Sequence, residues 1–205
     1  MDLKKKINKI VPYVSDNCIK MLETYLEELW RWNQKINLVG VSSYERLVEE
    51  LLLDSIMTLE FIPDTCTMLD IGSGAGFPAI PIKIIRPKMT IHLVESRSKK
   101  AVFLRHIIRR LKLKYAKVIQ KRVEYAEKEL FPFYDVITFR GLRLKQGLSF
   151  AHQFIKDGII IAYHGESYKN ALKEALSSIK ALSLHIAKEY SCRGKKRYIL
   201  IFKKN

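Results

Sequence analysis

The spacing of apolar residues divides the chain into two parts. Over residues 15–33, Ile19, Leu22, Leu26, Leu29 and Trp30 recur three and four apart, which aligns them on one face of a helix. The polar cluster Ser15-Asp16-Asn17 stands ahead of that face as a capping signal. A second helical pattern runs through Leu47, Leu51, Leu52, Ile56 and Leu59. Ser42-Ser43-Tyr44-Glu45 opens it at capping-box spacing and Pro63 closes it. From Met68 onward the rhythm changes to short apolar runs of strand length alternating with amphipathic segments. Strands are predicted at 68–71, 90–95, 117–120, 134–139, 158–163, 184–190 and 197–202. Helices are predicted at 78–86, 97–112, 122–130, 143–155 and 166–181. Alternation of this kind implies an α/β fold with a largely parallel sheet and helices on both faces. The last two strands are joined only by the stretch from Ser191 to Lys196, too short for a helical crossover, so they should pair antiparallel. The expected organisation is a helical extension over residues 1–62, packed on a doubly wound, seven-stranded domain over 63–205.

The sequence Met68-Leu69-Asp70-Ile71-Gly72-Ser73-Gly74-Ala75-Gly76-Phe77-Pro78 carries the chemistry. A buried strand ends in Asp70-Ile71, and three glycines at alternate positions follow before the apolar run Ile80, Ile82, Ile84 and Ile85. Strand, glycine turn and helix make a cradle for a nucleotide-like cofactor. A dinucleotide fingerprint places its third glycine five positions after the first. Here that position is Phe77. The second strand ends in Glu95, 23 residues after Gly72, near the spacing at which a carboxylate binds a ribose diol. Asp70 with G-x-G-x-G and then Glu95 therefore resembles an S-adenosylmethionine site in a Rossmann-like domain rather than an NAD site. A lone glycine loop can also be only a tight turn; Glu95 is what favours the cofactor reading.

Bulk composition narrows the class further. At 205 residues, 48% hydrophobic and 28% charged, the chain can bury a full core. No apolar run approaches the roughly 20 residues of a membrane helix. Met1-Asp2-Leu3-Lys4-Lys5-Lys6 is basic, and a polar stretch follows it in place of a signal-peptide core, so a cytoplasmic protein is expected. Cys18, Cys66 and Cys192 are scattered and show no metal-ligand spacing, and the five histidines form no H-x-x-x-H pair. No metal is expected. A net charge of +16 points to a polyanionic partner. A general lysine bias would also raise it, but the basic residues cluster. Arg97, Lys99, Lys100, Arg105, Arg109, Arg110, Lys112 and Lys114 fall within 18 residues, and Arg193, Lys195, Lys196 and Arg197 form a second group. Helix 97–112 reads equally as an amphipathic surface helix and as an RNA-facing one.

Together these stretches resemble the bacterial ribosomal RNA small-subunit methyltransferase G family, also called glucose-inhibited division protein B. They run in order from Trp32-Asn33-Gln34-Lys35-Ile36-Asn37-Leu38 through Leu53-Asp54-Ser55-Ile56 to the glycine loop. Glu95-Ser96, Lys99-Lys100, Phe103-Leu104, Arg122-Val123-Glu124, Asp135-Val136-Ile137-Thr138-Phe139-Arg140 and Arg197-Tyr198-Ile199-Leu200-Ile201-Phe202 follow. The resemblance covers nearly the whole chain, and the W-N-x-K-x-N-L and L-D-S pieces make it specific. It implies a class I S-adenosylmethionine-dependent methyltransferase acting on guanine N7 in the decoding-centre loop of 16S rRNA, with free rRNA or the small ribosomal subunit as partner. It implies cofactor contacts from Asp70, Gly72, Ser73, Gly74, Gly76, Phe77, Glu95, Arg122, Val123, Glu124 and Arg140. Glu95 would take the ribose hydroxyls, residues 122–124 would border the adenine, and Arg140 would stand at the catalytic mouth. The W-N-x-K-x-N-L and L-D-S segments would roof the pocket.

Guanine N7 carries an in-plane lone pair and no proton, so alignment, desolvation and charge placement suffice, and no general base is assigned. The chain departs from the family pattern at Leu51, where relatives usually carry His, and at His164-Gly165, where they carry Lys-Gly. Ala79 and Gly141 are small-for-small replacements. Those departures keep two other functions in view: a catalytically weak rRNA-binding or ribosome assembly factor, and a methyltransferase with another substrate. A monomer is expected.

Overall fold

The computed structural model describes residues 2–12 and 14–205. One mixed sheet holds seven strands: β1 (Thr67–Ile71), β2 (Thr90–Val94), β3 (Ala116–Ile119), β4 (Tyr134–Phe139), β5 (Ile155–Gly165), β6 (Leu182–Cys192) and β7 (Lys195–Lys204). Their order is β3-β2-β1-β4-β5-β7-β6, with β7 antiparallel to both neighbours and the other pairings parallel. The chain winds outward from β1 to β3, then returns to β4 on the other side of β1. That reversal opens a crevice at the carboxyl ends of β1 and β4, where α/β folds place their ligands.

Alternation along the strands divides the core in two. Met68, Ile91, Leu93, Val136, Ile161 and Ile199 face one layer, and Leu69, Val94, Ile137, Phe139, Ile160 and Leu200 face the other. The first layer contains α5 (Ala79–Ile85) and α6 (Ser98–Arg110), and the second α7 (Leu144–Ala151) and α8 (Tyr168–Ser178). The N-terminal helices belong to the first layer. These are α1 (Leu3–Asn8), α2 (Asp16–Ile36), and a run made of α3 (Tyr44–Leu47), a π-helical turn (Val48–Leu53) and α4 (Asp54–Ile56). Leu22, Leu26, Leu29, Leu47, Leu52 and Ile56 share one apolar cluster with Ile80, Phe103 and Leu104, so the helical extension and the sheet enclose a common core. No helix of the described residues is long and apolar enough to cross a membrane.

The caps follow the sequence signals with one change. Ser15 Oγ accepts the Cys18 amide and starts α2. At α3 the cap is Ser43, whose Oγ accepts the Arg46 amide, one residue later than the Ser42–Glu45 spacing suggests. The helical pattern through Leu47–Leu59 is broken by the π-helical turn, and two predicted helices of the later domain are revised. Residues 122–130 form two 3₁₀ turns, Val123–Tyr125 and Glu127–Glu129, not one α-helix. Their buried apolar anchors, Val123 and Ala126, lie three apart, which matches a three-residue turn and leaves no wider stripe to bury. The helix predicted to reach 155 stops at Ala151 because Ile155 already pairs with Tyr134. The register shifts between Tyr134 and Val136, and there a Cβ on Gly158 would lie 2.2 Å from the Asp135 carbonyl oxygen. Lys156-Asp157, left between the predicted helix and the strand predicted from 158, thus belongs to an irregular strand.

Candidate active site

The crevice is built on the glycine loop. Gly72, Gly74 and Gly76 take φ of 72°, 58° and 105°, a region that L side chains rarely enter. The loop is held from three sides. Gly72 and Ser73 donate their amides to the Val94 carbonyl at 2.9 and 3.0 Å. Ser73 Oγ donates to the Asp70 carbonyl at 2.9 Å, and Tyr25 Oη, from α2, donates to the Ala75 carbonyl at 2.9 Å. Glu95 completes the frame. Its Oε2 accepts the Gly74 amide at 2.8 Å and its Oε1 the Arg97 amide at 2.7 Å.

Two adjoining cavities share Gly72, Glu95, Ser96 and Leu142. The smaller, about 150 Å³, is lined by Val94, Lys121, Arg122, Val123, Glu124, Gln146 and Phe150. The larger, about 590 Å³, is bounded by Ser73, Gly74, Ala75, Phe77 and Arg140 below. Leu38, Val39, Gly40, Val41, Glu50 and Leu51 close it from the helical extension, Arg197 lines it beside Glu50, and Arg97 and Lys100 add positive charge. The Trp32–Leu38 motif explains the placement of the roof. Asn33 Oδ1 accepts the Leu38 and Val39 amides at 2.6 and 2.9 Å, Asn37 turns left-handed at φ 42°, and Trp32 packs on Phe103 and His106.

The sequence-predicted residues divide by position. Gly72, Ser73, Gly74, Phe77, Glu95, Arg122, Val123, Glu124 and Arg140 line the cavities. Asp70 and Gly76 are buried and line neither. Gly76 serves packing: a Cβ there would lie 2.5 Å from Ile80 and 3.2 Å from Leu104. Asp70 lies under the loop at 1% exposure, and its Oδ1 accepts from Thr138 Oγ1 at 2.7 Å. Its Oδ2 is buried without a partner, and burial pushes the carboxyl up to about 7. Leu51 lines the larger cavity, whereas His164 lines a separate depression between α7 and α8 with Arg143, Lys145 and Glu174. Leu142, Gln146 and Phe150 carry no signal in the sequence, since they follow β4 as ordinary helix-start and helix-face residues.

Arg140 follows β4 directly and is anchored to the helical extension. Its Nη2 donates to the Glu50 carbonyl and to Asp54 Oδ2, the latter at 3.0 Å. Its guanidinium lies over the Tyr163 ring at 5.5 Å, and Tyr163 Oη is 3.1 Å from Thr58 Oγ1. Asp54 is 2% exposed, and burial raises its carboxyl above the usual range although Arg140 opposes the shift. The π-helical turn presents the Glu50 carbonyl, and the start of α4 the Asp54 side chain, to one nitrogen of Arg140. Such turns often mark functional sites. Near the mouth, Glu50 also meets Arg46 at 2.7 Å and Arg197 at 3.5 Å, and Glu49 meets Lys6 and Arg193, each at 2.6 Å.

Known proteins share sequence and fold with this chain. A family model described as rRNA small subunit methyltransferase G matches residues 18–200. A ribosomal RNA small subunit methyltransferase G from Syntrophotalea carbinolica is 38% identical over 159 residues, covering 76% of this chain and 73% of its own length. The protein of that name from Helicobacter pylori is 35% identical over 178 residues, covering 84% and 98%. Among solved structures, an O-methyltransferase from Bacillus cereus in complex with SAH superposes with a TM-score of 0.66 over 98% of this chain and 96% of that one. M. jannaschii TYW2 in complex with AdoMet gives 0.62 over 82% and 79%. At 14% and 17% identity these two speak for the fold alone. The match over residues 18–200 and the curated relatives at these identities establish that the chain belongs to the rRNA small subunit methyltransferase G family.

Proposed function

We propose that this chain transfers a methyl group from S-adenosylmethionine to N7 of a guanine in the decoding-centre loop of 16S rRNA. The observation that carries the reading is the two-lobed crevice at the β1–β4 switch point, with a glycine loop and Glu95 between the lobes and Arg140 in the larger one. The smaller lobe has the character of an adenine site: Val94, Val123, Leu142 and Phe150 offer apolar faces beside polar Gln146 and Arg122. Glu95 then serves the ribose, and Gly72, Ser73 and Gly74 bring bare backbone to the methionine part. Asp70 and Gly76 act from beneath, the first as a buried carboxyl and the second as the contact that seats α5. On this reading residues 63–205 form the methyltransferase unit and residues 1–62 its roof.

When bound, S-adenosylmethionine supplies a methyl group on a sulfonium, whose carbon accepts the N7 lone pair while the carbon–sulfur electrons return to sulfur. The chain's own residues have no proton to remove. Leu38, Val41 and Leu51 exclude water from the larger lobe, and Arg140 holds the acceptor base in place. The positive rim of Arg97 and Lys100 suits an RNA strand.

The test is labelled methyl transfer to 16S rRNA and to small subunits from a strain lacking the enzyme, with chemical cleavage at 7-methylguanine to map the product. A single mapped guanine in the decoding-centre loop is expected. Cofactor binding without transfer would instead favour an RNA-binding or assembly role. Arg140→Ala should lower turnover on the order of 10²-fold, the scale of losing one placed donor, with a smaller change in cofactor affinity by calorimetry. Unchanged turnover would remove Arg140 from the mechanism.

A further inference from the structure

The reaction leaves unused a cavity of about 770 Å³ between α7 and α8. Its place follows from the chain. Arg143 comes four residues after β4 ends, and His164 is the last residue but one of β5. Both line the cavity, which therefore stands at the carboxyl end of the sheet, as the crevice does. Consecutive residues join the two. Arg140 and Gly141 line the larger lobe, Leu142 lines both lobes, and Arg143, Leu144 and Lys145 line the cavity. Three backbone steps separate Arg140 from Arg143, at most about 11 Å between their Cα atoms. An RNA strand whose base enters the larger lobe has its neighbouring nucleotide within reach of the cavity.

The charge of the cavity suits a phosphate. Arg143 and Lys145 are both exposed. Glu174 is the one carboxylate in the lining, and it meets Lys145 at 3.5 Å, which leaves Arg143 unpaired among the described residues. The Lys145–Glu174 pair is itself exposed and hence weak, so a phosphate can take Lys145 from it. His164 adds less. A neutral imidazole that donates from Nδ1 to the Gly165 carbonyl, 3.2 Å away, has no second N–H for a phosphate.

We propose that this cavity seats a backbone phosphate of a nucleotide next to the target, held by Arg143 and Lys145, with the strand leaving the crevice over residues 141–143. Phosphate contacts carry no sequence information but fix the register of a strand, and this one sets which base reaches Arg140. The inference rests on the reading above that an rRNA base enters the larger lobe, and not on which atom of that base is methylated. The departure from the family pattern at His164 then falls in the seat of the flanking strand and not in the reaction crevice.

The experiment follows binding of a transcript carrying the target guanine by fluorescence anisotropy across a salt series. Replacing Arg143 and Lys145 together by alanine should lower the log–log slope by about 0.7–1 unit, one phosphate's share, with cofactor affinity by calorimetry unaltered. Lys156 and Lys203, exposed at the opposite end of β5 and β7, supply the control: their double alanine variant loses the same charge and should keep the slope. Two shorter transcripts end at the target nucleotide, one from each side. On one of them wild type should already show the lower slope, and the Arg143/Lys145 variant should lose nothing more. Equal losses in the two double variants, or a loss that persists on both short transcripts, would overturn the proposal. Glu174→Gln releases Lys145 and removes the opposing charge, and His164→Lys adds a cation. Each should tighten binding, a gain that damage to the fold cannot produce, and unchanged affinity in both would also overturn the proposal. Wild-type protein that binds no rRNA segment at all would overturn this inference and the function it rests on together. Salt-dependent binding with methyl transfer but no effect at Arg143 and Lys145 would overturn this inference alone.

Discussion

Asp70 shows what a buried carboxyl beneath the glycine loop costs the fold. Its carboxyl is buried, half-satisfied by Thr138, and raised to about 7 by burial. In the unfolded chain it ionises near 4. Between those values the folded state holds a proton that the unfolded state has lost, so this group's contribution is fully present below pH 4. It is lost as pH rises through 7. At about 1.4 kcal/mol per unit the loss is on the order of 4 kcal/mol. Asp70→Asn removes the charge and keeps the shape. Denaturant melts of the cofactor-free protein should show the variant gaining on wild type from pH 5 to pH 8. A pH-independent gap would mean that Asp70 does not titrate in that window. Gly76 is the complementary case. Gly76→Ala forces a methyl to within 2.5 Å of Ile80 at a positive φ, and should cost about 2–4 kcal/mol from overpacking and the left-handed backbone together. An equal melting midpoint would show that α5 can shift without penalty.

At the scale of elements, α2 decides how the glycine loop is held. It spans Asp16–Ile36, packs on α5 and α6, and sends Tyr25 Oη to the Ala75 carbonyl. Glu28 from the same helix reaches His106 of α6 at 2.7 Å. The loop is thus gripped by the extension as well as by its own strand. Tyr25→Phe leaves a buried carbonyl without its donor, which should destabilise by about 1–3 kcal/mol. If the grip matters to the cofactor, calorimetry should also show weaker cofactor binding. Lost stability with unchanged affinity would confine Tyr25 to packing. The π-helical turn plays the parallel part for Arg140, and its role was not legible in the periodicity, which reads 44–59 as one regular helix.

Across the whole molecule, charge is arranged about the mouth of the crevice. Arg97 and Lys100 line it at the start of α6, and the exposed face of that helix continues outward through Arg105 and Arg109 to Lys112 in the turn that follows. RNA affinity should therefore fall steeply with salt, by about 0.7–0.9 in log–log slope for each phosphate neutralised. Replacing Lys99, Arg109 and Lys112 together by alanine should reduce that slope by about two units with cofactor affinity unaltered. An unchanged slope would make α6 a solvated face only. The C-terminal basic group behaves differently: Arg193 and Arg197 are engaged with Glu49 and Glu50. Counting them as free positive charge would overstate the field there.

The sequence by itself determined what depends on local pattern. Alternating apolar blocks set the strands and the antiparallel end hairpin, because side-chain period and connection length are properties of the chain alone. Spacing of glycines and Glu95 marked the cofactor loop for the same reason. Tertiary structure decided what depends on convergence from distant segments. Asp54 and Tyr163 meet Arg140, and Thr58 meets Tyr163, only because the helical extension folds over β4 and β5. Gly76 faces Ile80 and not the crevice only because α5 docks there. His164 is set apart from Leu51 by the sheet between them. Residues 122–130 kept the predicted amphipathic ingredients, yet two buried anchors three apart could satisfy only 3₁₀ turns once β3 and β4 were placed.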